Sequence, residues 1–202
     1  MNKIEKLYQD LHTKYGKPEG QWILWCKRPK TKANKEKIVI GAILTQNTNW
    51  KNVDLAMANL KKEKVCSLAG ICRLENKKLE SLIKPSGFYK TKAGYLFGLA
   101  KFILDKGGFE RLRKIETAFL REELLKQRGV GPETADSILL YALEKPIFVV
   151  DEYTRRLVKK HKLSKDLSYN SLQDLFQKNL KEDCVFYQDF HALIVIEGKS
   201  RD

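Results

Sequence analysis

Residues 124–139, LLKQRGVGPETADSIL, place Gly129-Val130-Gly131 between two segments with helical character. The two glycines permit positive φ and a very tight reversal of the chain, and Val130 can turn inward between the helices. Pro132 falls in the first turn of the second helix, where proline is tolerated. Glycine turns between helices are common, so this stretch alone predicts a helical hairpin without a particular function.

The start of the second helix is a candidate phosphate-binding site. The backbone amides of Gly131, Glu133 and Thr134 would point outward at the positive end of the helix dipole. Such amides bind phosphate without contacting base edges. The chain carries 39 Lys and Arg against 25 Asp and Glu, a formal charge of +14. This excess favours a polyanionic partner, either nucleic acid or an anionic membrane surface.

The rest of the chain also follows a helical pattern, so the predicted fold class is all-α. Only residues 147–150, IFVV, are typical of a strand. No apolar run reaches the roughly 18 residues of a spanning helix, and the N-terminus lacks the apolar stretch of a signal peptide. We therefore expect a cytoplasmic, intracellular protein. Further helices are expected at 2–15, 35–46, 91–105, 152–160, 171–180 and 186–198, and from Asn49 and Asn76 onward.

The cysteines do not predict a metal site. They form no CxxC pair, and those at 66 and 72 have no histidine at metal-ligand spacing. We expect all of them to be small buried apolar residues. They are Cys26, Cys66, Cys72 and Cys184.

Asp151 follows the apolar run 147–150 directly and precedes a predicted helix. An acid at this position can simply cap that helix. It can also be a partly desolvated carboxylate that faces a cleft, stays ionised and stabilises a developing cation. The two interpretations are compatible, because capping can orient the carboxylate. Pairing of Asp151 with His161 or His191 is conceivable, but isolated histidines are more often surface or core residues, and we assign them no role.

Residues 44–50, LTQNTNW, form a polar stretch that interrupts an apolar helix. Side chains of the Gln and Asn type can occupy the space left by an extruded base, and Trp50 offers a stacking face. The alternative is ordinary helix termination followed by capping.

Four segments in this order resemble the helix–hairpin–helix DNA glycosylases of the endonuclease III-like superfamily. They are ILTQNTNW at 43–50, PSGFYKTKA at 85–93, LLKQRGVGPETADSIL at 124–139 and VVDEYT at 149–154. The resemblance implies a two-domain helical HhH-GPD fold with an interdomain cleft for DNA and the base. One contiguous domain, 36–148, would contain the hairpin, and the second would combine 1–35 with 149–202. Asp151 would lie at their junction.

The resemblance further implies a base-excision-repair enzyme that acts on double-stranded DNA containing damaged bases, as a monomer and away from membranes. The damaged base would be flipped, and Asp151 would be the catalytic residue that stabilises the sugar cation and activates water. Gln46 would fill the vacated stack. The residues implied to contact DNA are Gln46, Asn47, Thr48, Gly129, Val130, Gly131 and Thr134.

Two departures from the superfamily pattern affect the expected chemistry. Members that also cleave the strand carry a lysine in the helix after the hairpin, where this chain has Glu133. A carboxylate cannot form an imine, so we expect a monofunctional enzyme that uses water. Lys90 or Lys92 could take the place of the imine-forming lysine, but only their presence nearby supports this role. Many relatives also carry an iron–sulfur loop after the last helix. Here no cluster is expected, and the only ion allowed for is a monovalent cation on hairpin carbonyls.

Alkylated purines are the predicted substrate, because the pattern is nearest to the branch that includes 3-methyladenine glycosylases. These bases are cationic, and an aromatic pocket attracts them by cation–π stacking. The open alternatives are a bifunctional endonuclease III-type enzyme acting on oxidised pyrimidines, and a DNA-binding module without catalysis. The predicted pocket walls, each of which could instead be core, are Trp22, Trp25, Trp50, Phe88 and Tyr89.

Overall fold

The computed structural model describes residues 2–200 and contains helices but no β-strand in that range. The predicted all-α class is therefore confirmed. A 3₁₀ turn spans Lys84–Ser86 and a π-helix spans Ile138–Ala142. The α-helices are α1 Lys3–Tyr15, α2 Trp22–Trp25, α3 Lys32–Leu44, α4 Trp50–Lys62, α5 Leu68–Arg73, α6 Asn76–Ile83, α7 Tyr89–Asp105, α8 Gly108–Leu112, α9 Thr117–Leu125, α10 Pro132–Ser137, α11 Glu152–Lys160, α12 Tyr169–Asn179 and α13 Cys184–Lys199.

The chain divides into two compact units, Pro29–Ile138 and the combination of Met1–Arg28 with Leu139–Asp202. The combined unit is built on α13, which packs against α1 and α11. Most of α13 is buried, including Phe190, Ala192, Leu193 and Ile194. A helix buried on several faces must find hydrogen-bonding partners for its polar side chains within the core.

The contiguous unit, Pro29–Ile138, is organised around α3 and α7. The apolar residues of 35–46 would fall on every face of a helix, which predicts a central, buried helix. Helix α3 confirms this prediction, with residues 38–40 and 42–44 buried. The long helix α7 packs across α3, α5, α6 and α8. Helix α10 also contacts α3, so the helix that follows the hairpin is anchored to this core.

Helix caps explain where several helices begin. Asn49 accepts a hydrogen bond from the Asn52 amide and caps α4, as its position predicts. The sequence predicts that Asn76 begins a helix, and Asn76 is the first residue of α6, with Glu75 at the cap position. Within residues 2–200, no helix combines the length and apolar character needed to cross a membrane.

Candidate active site and DNA interface

Asp151 caps α11 and is nearly buried, with 9% of its surface exposed. Its Oδ1 accepts hydrogen bonds from the Thr154 amide at 2.7 Å and from the Thr154 hydroxyl at 2.9 Å. The capping role that the sequence predicts is therefore present. These two bonds fix one carboxylate oxygen and leave the other, Oδ2, facing His191.

His191, to which the sequence assigns no role, is a close neighbour of Asp151 in the structure. Its Nε2 lies 3.5 Å from Asp151 Oδ2, and its Nδ1 lies 2.8 Å from the Tyr141 hydroxyl. The Tyr141 hydroxyl is also within 3.0 Å of the Gln188 carbonyl. Tyr141 belongs to the π-helix, whereas His191 and Gln188 belong to α13. Two distant segments therefore meet beside the carboxylate.

The surroundings of Asp151 favour its ionised form. Burial raises the pKa of this carboxyl, but nearby His191 and the two Thr154 hydrogen bonds lower it more, so the pKa lies below its ordinary value. Asp151 is consequently a carboxylate at neutral pH. A buried negative charge with one oxygen held in place can stabilise a positive charge that develops beside it.

Two of the predicted pocket residues, Trp22 and Trp25, are buried and pack around the partners of Asp151. Their rings lie 5.8 and 5.2 Å from the ring of Tyr141, and Trp22 stands edge-on to His191 at 5.6 Å. The other three belong to the unit Pro29–Ile138. Trp50 and Tyr89 are half-buried, whereas Phe88 is 69% exposed.

The two hairpin glycines have different roles in the structure. Gly129 has φ +81°, and a Cβ there would collide with the ring of Tyr95. Gly131 has φ −89°, an extended conformation, and open space around the position of a Cβ. Of these two glycines, Gly129 adopts the positive φ that both permit, whereas Gly131 caps α10 in an extended conformation. Val130 is buried between them.

We predict that Gly129→Ala and Gly131→Ala differ sharply in stability. Alanine at 129 combines a strained left-handed backbone with a clash against Tyr95, and should lower the free energy of unfolding by at least about 2 kcal/mol. Alanine at 131 should change it by less than about 0.5 kcal/mol. Urea unfolding of both variants checks this, and equal losses would contradict the assigned roles.

Gln46 is hydrogen-bonded to the hairpin. Its Nε2 donates to the Gly129 carbonyl at 2.9 Å and to the Thr134 hydroxyl at 3.1 Å. Asn47 beside it is exposed with φ +50°, a left-handed conformation that asparagine tolerates better than most residues. Thr48 accepts a hydrogen bond from Asn52. The polar loop and the hairpin therefore form one surface within their unit.

Lys92 connects this loop to the segment that carries Phe88. It is buried, and its Nζ donates to the Leu44 carbonyl at 2.8 Å and to the Ser86 carbonyl at 2.7 Å. Burial lowers the pKa of Lys92 to about 8, so the ammonium form persists at neutral pH. Lys92 thus holds the end of α3 and the 3₁₀ turn together, and it places Gln46 and Phe88 on adjacent loops.

Glu133, where related enzymes carry a lysine, is exposed at the start of α10. Lys199 donates to Gln21 at 2.9 Å; partial burial lowers its pKa, and the charge of Asp151 acts in the opposite direction. The sequence predicts four buried cysteines, but in the structure all four are only half-buried. Among residues 2–200, no group of three or more His, Cys, Asp or Glu could hold a metal ion. A hairpin cation stays a prediction.

Comparisons with known proteins agree in one family. Residues 40–182 match the family described as HhH-GPD superfamily base excision DNA repair protein. A candidate DNA repair glycosylase of Methanocaldococcus jannaschii is 42% identical over 201 residues, covering 96% of this chain and 87% of that protein. Endonuclease III of Thermotoga maritima is 27% identical over 147 residues, covering 73% and 66%. The structure of an H. pylori 3-methyladenine DNA glycosylase bound to 1,N6-ethenoadenine is similar, with TM-score 0.81, 31% identity and coverage of 100% and 99%.

Proposed function

Since the chain belongs to the HhH-GPD superfamily of base excision DNA repair proteins and is a DNA N-glycosylase, we propose that it releases alkylated purines from DNA by hydrolysis. Water is the nucleophile in this proposal, and the sugar–phosphate strand stays intact. The observation that carries it is the ionised carboxylate of Asp151, held by Thr154 in a nearly buried position.

Asp151 acts on the sugar of the flipped nucleotide. Departure of the base leaves positive charge on the sugar ring, and a fixed anion in a water-poor site lowers the energy of that state. The same carboxylate orients the attacking water and can accept its proton as the new bond forms. An alkylated purine is already cationic and leaves readily, so it demands less assistance at the leaving group.

Support for a hydrolytic route comes from position 133 and from the surroundings of Lys92 and Lys199. Position 133 carries a carboxylate, which forms no imine. The amine of Lys92 is buried and hydrogen-bonded to two carbonyls, so it is not available for attack on a sugar. The charge of Lys199 interacts with Asp151, so Lys199 is the first amine to examine if strand cleavage occurs.

Support for alkylated purines comes from the similarity to the H. pylori 3-methyladenine glycosylase, which spans both chains almost completely. The aromatic group of Trp22 and Trp25 next to the partners of Asp151 suits a flat cationic base, since aromatic faces attract cations.

Gln46 and Phe88 are proposed to enter the DNA stack when a base is extruded. Phe88 is an exposed aromatic residue on the loop next to Gln46, and apolar side chains of this kind insert between base steps. The hairpin residues 129–131 and 134 grip the backbone, with Asn47 and Thr48 beside them. Phe88→Ala should weaken binding to a duplex with an abasic analogue more than binding to single-stranded DNA; equal effects in anisotropy titrations would contradict insertion.

The test of the function is base release from a panel of duplexes, each analysed with and without alkali. The panel contains methylated DNA, thymine glycol, uracil, and mismatched thymine or adenine. Free 3-methyladenine, with strand breaks only after alkali, is the expected result. Strand breaks without alkali, together with an adduct trapped by borohydride, would contradict hydrolysis, and loss of that adduct in Lys199→Gln would identify the amine. Release of another base alone would contradict the assigned substrate.

A further inference from the structure

His191 is buried in the core of its unit with one ring nitrogen directed at Asp151. It is 5% exposed, and within residues 2–200 its Nε2 makes no hydrogen bond. That nitrogen lies 3.5 Å from Asp151 Oδ2, slightly beyond hydrogen-bonding distance. Buried polar atoms nearly always have a partner, so this one requires an explanation.

The hydroxyl of Tyr141 determines which nitrogen of His191 carries the proton. This hydroxyl has one proton, which it can donate either to His191 Nδ1 at 2.8 Å or to the Gln188 carbonyl at 3.0 Å. Donation to Gln188 would require a proton on Nδ1 and would direct the Nε2 lone pair of a neutral ring at a carboxylate. Donation to Nδ1 places the ring proton on Nε2, facing Asp151, and needs no additional buried charge. The second arrangement is therefore favoured.

We propose that His191 is a positioning residue for Asp151, donating from Nε2–H to Oδ2 in the tautomer selected by Tyr141. The inference rests on the proposed function, in which Asp151 is the catalytic carboxylate. Thr154 holds Oδ1 and His191 holds Oδ2, so rotation of the carboxylate about its terminal bond is restricted from both sides. The 3.5 Å distance closes to a hydrogen bond when substrate is bound, as apo catalytic contacts commonly do.

A neutral donor suits this role better than a second charge. A hydrogen bond from a neutral imidazole orients the carboxylate, while most of its negative charge remains available to the sugar. The Trp22 ring packs against the imidazole in a T-shaped arrangement with an interplanar angle of 89°, which resists rotation of the imidazole. Misplacing a reacting group by about 1 Å reduces rates by about a hundredfold, so the orientation has a measurable effect.

Two amide variants of His191 separate positioning from packing. In His191→Gln the side-chain Nε2 can occupy the place of the imidazole Nε2, whereas in His191→Asn the shorter amide reaches only the Tyr141 side. Both substitutions remove the buried ring, so the thermal unfolding midpoint, Tm, should fall by similar amounts. We expect single-turnover base release within about threefold of wild type for Gln and about 10- to 100-fold lower for Asn, with unchanged DNA affinity. Equal base release by the two folded variants would overturn the inference.

The imidazole ¹⁵N shifts of His191 give a readout that does not depend on activity. At mildly alkaline pH we expect the Nε2–H tautomer in the wild type and a smaller population of it in Asp151→Ala. An Nδ1–H ring, or a tautomer that Asp151→Ala leaves unchanged, would overturn the inference. If the wild type releases no base from any duplex, the proposed function fails, and these shifts still determine whether His191 donates to Asp151.

Discussion

Asp151→Asn is expected to lower single-turnover base release about a hundred- to a thousandfold while DNA binding stays within about twofold. The amide has the shape of the carboxylate and retains an oxygen that can accept from the Thr154 amide, so the cap of α11 survives. The substitution removes the negative charge that stabilises the sugar cation. Base release with enzyme in excess and anisotropy titration of a lesion duplex measure the two quantities separately.

Asp183→Asn is the matched control for this substitution. Asp183 caps α13 through a hydrogen bond from the Phe186 amide and belongs to the same unit as Asp151. The two variants make the same chemical change at two helix caps, but only one of these residues is proposed to touch the substrate. Asp183→Asn should retain base release. A similar loss in both variants would mean that capping, and not the charge of Asp151, accounts for the effect.

The sequence was informative about the fold because its helical signals are local. Apolar periodicity and the Asn49 and Asp151 caps depend on residues within a few positions of each other, and the observed helices confirm them. The four motifs then identified the superfamily, which the family match over residues 40–182 confirms. The short helices α5 and α8 were not predicted, because elements of five or six residues carry too little periodicity to recognise.

The sequence was less informative about the site because the partners of Asp151 are distant in the chain. His191 is forty residues away, and its sequence context assigns it no role, since an isolated histidine in an apolar segment is usually part of the core. Tyr141 belongs to a π-helix, and none of the residues in 138–142 predicts this irregularity. The sequence considers Lys92 only as a substitute for the missing lysine, whereas the structure shows its amine hydrogen-bonded to two carbonyls. Each case requires tertiary packing to be known.

The helices on either side of the hairpin are joined by a buried ion pair. Arg121 of α9 donates from Nε to Asp136 Oδ1 at 2.7 Å and from a terminal nitrogen to Oδ2 at 3.1 Å. Asp136 of α10 is fully buried, at 0% exposure. Two parallel hydrogen bonds between a guanidinium and a carboxylate restrict both distance and angle. The pair therefore fixes α9 relative to α10, the two helices that the turn at Gly129 and Val130 connects.

Arg121→Met should lower the free energy of unfolding by about 3–5 kcal/mol, because it removes the bidentate guanidinium partner of a fully buried carboxylate. Arg156→Met is the control, since its partner Glu152 is exposed and the loss should stay below about 1 kcal/mol. The double variant Arg121→Met/Asp136→Leu should recover part of the lost free energy of unfolding, because it removes the buried carboxylate as well as the guanidinium. Urea unfolding measures these three variants and the single variant Asp136→Leu, which completes the cycle. A double variant whose loss equals the sum of its single losses would contradict coupling, and the hairpin geometry would then depend on the turn alone.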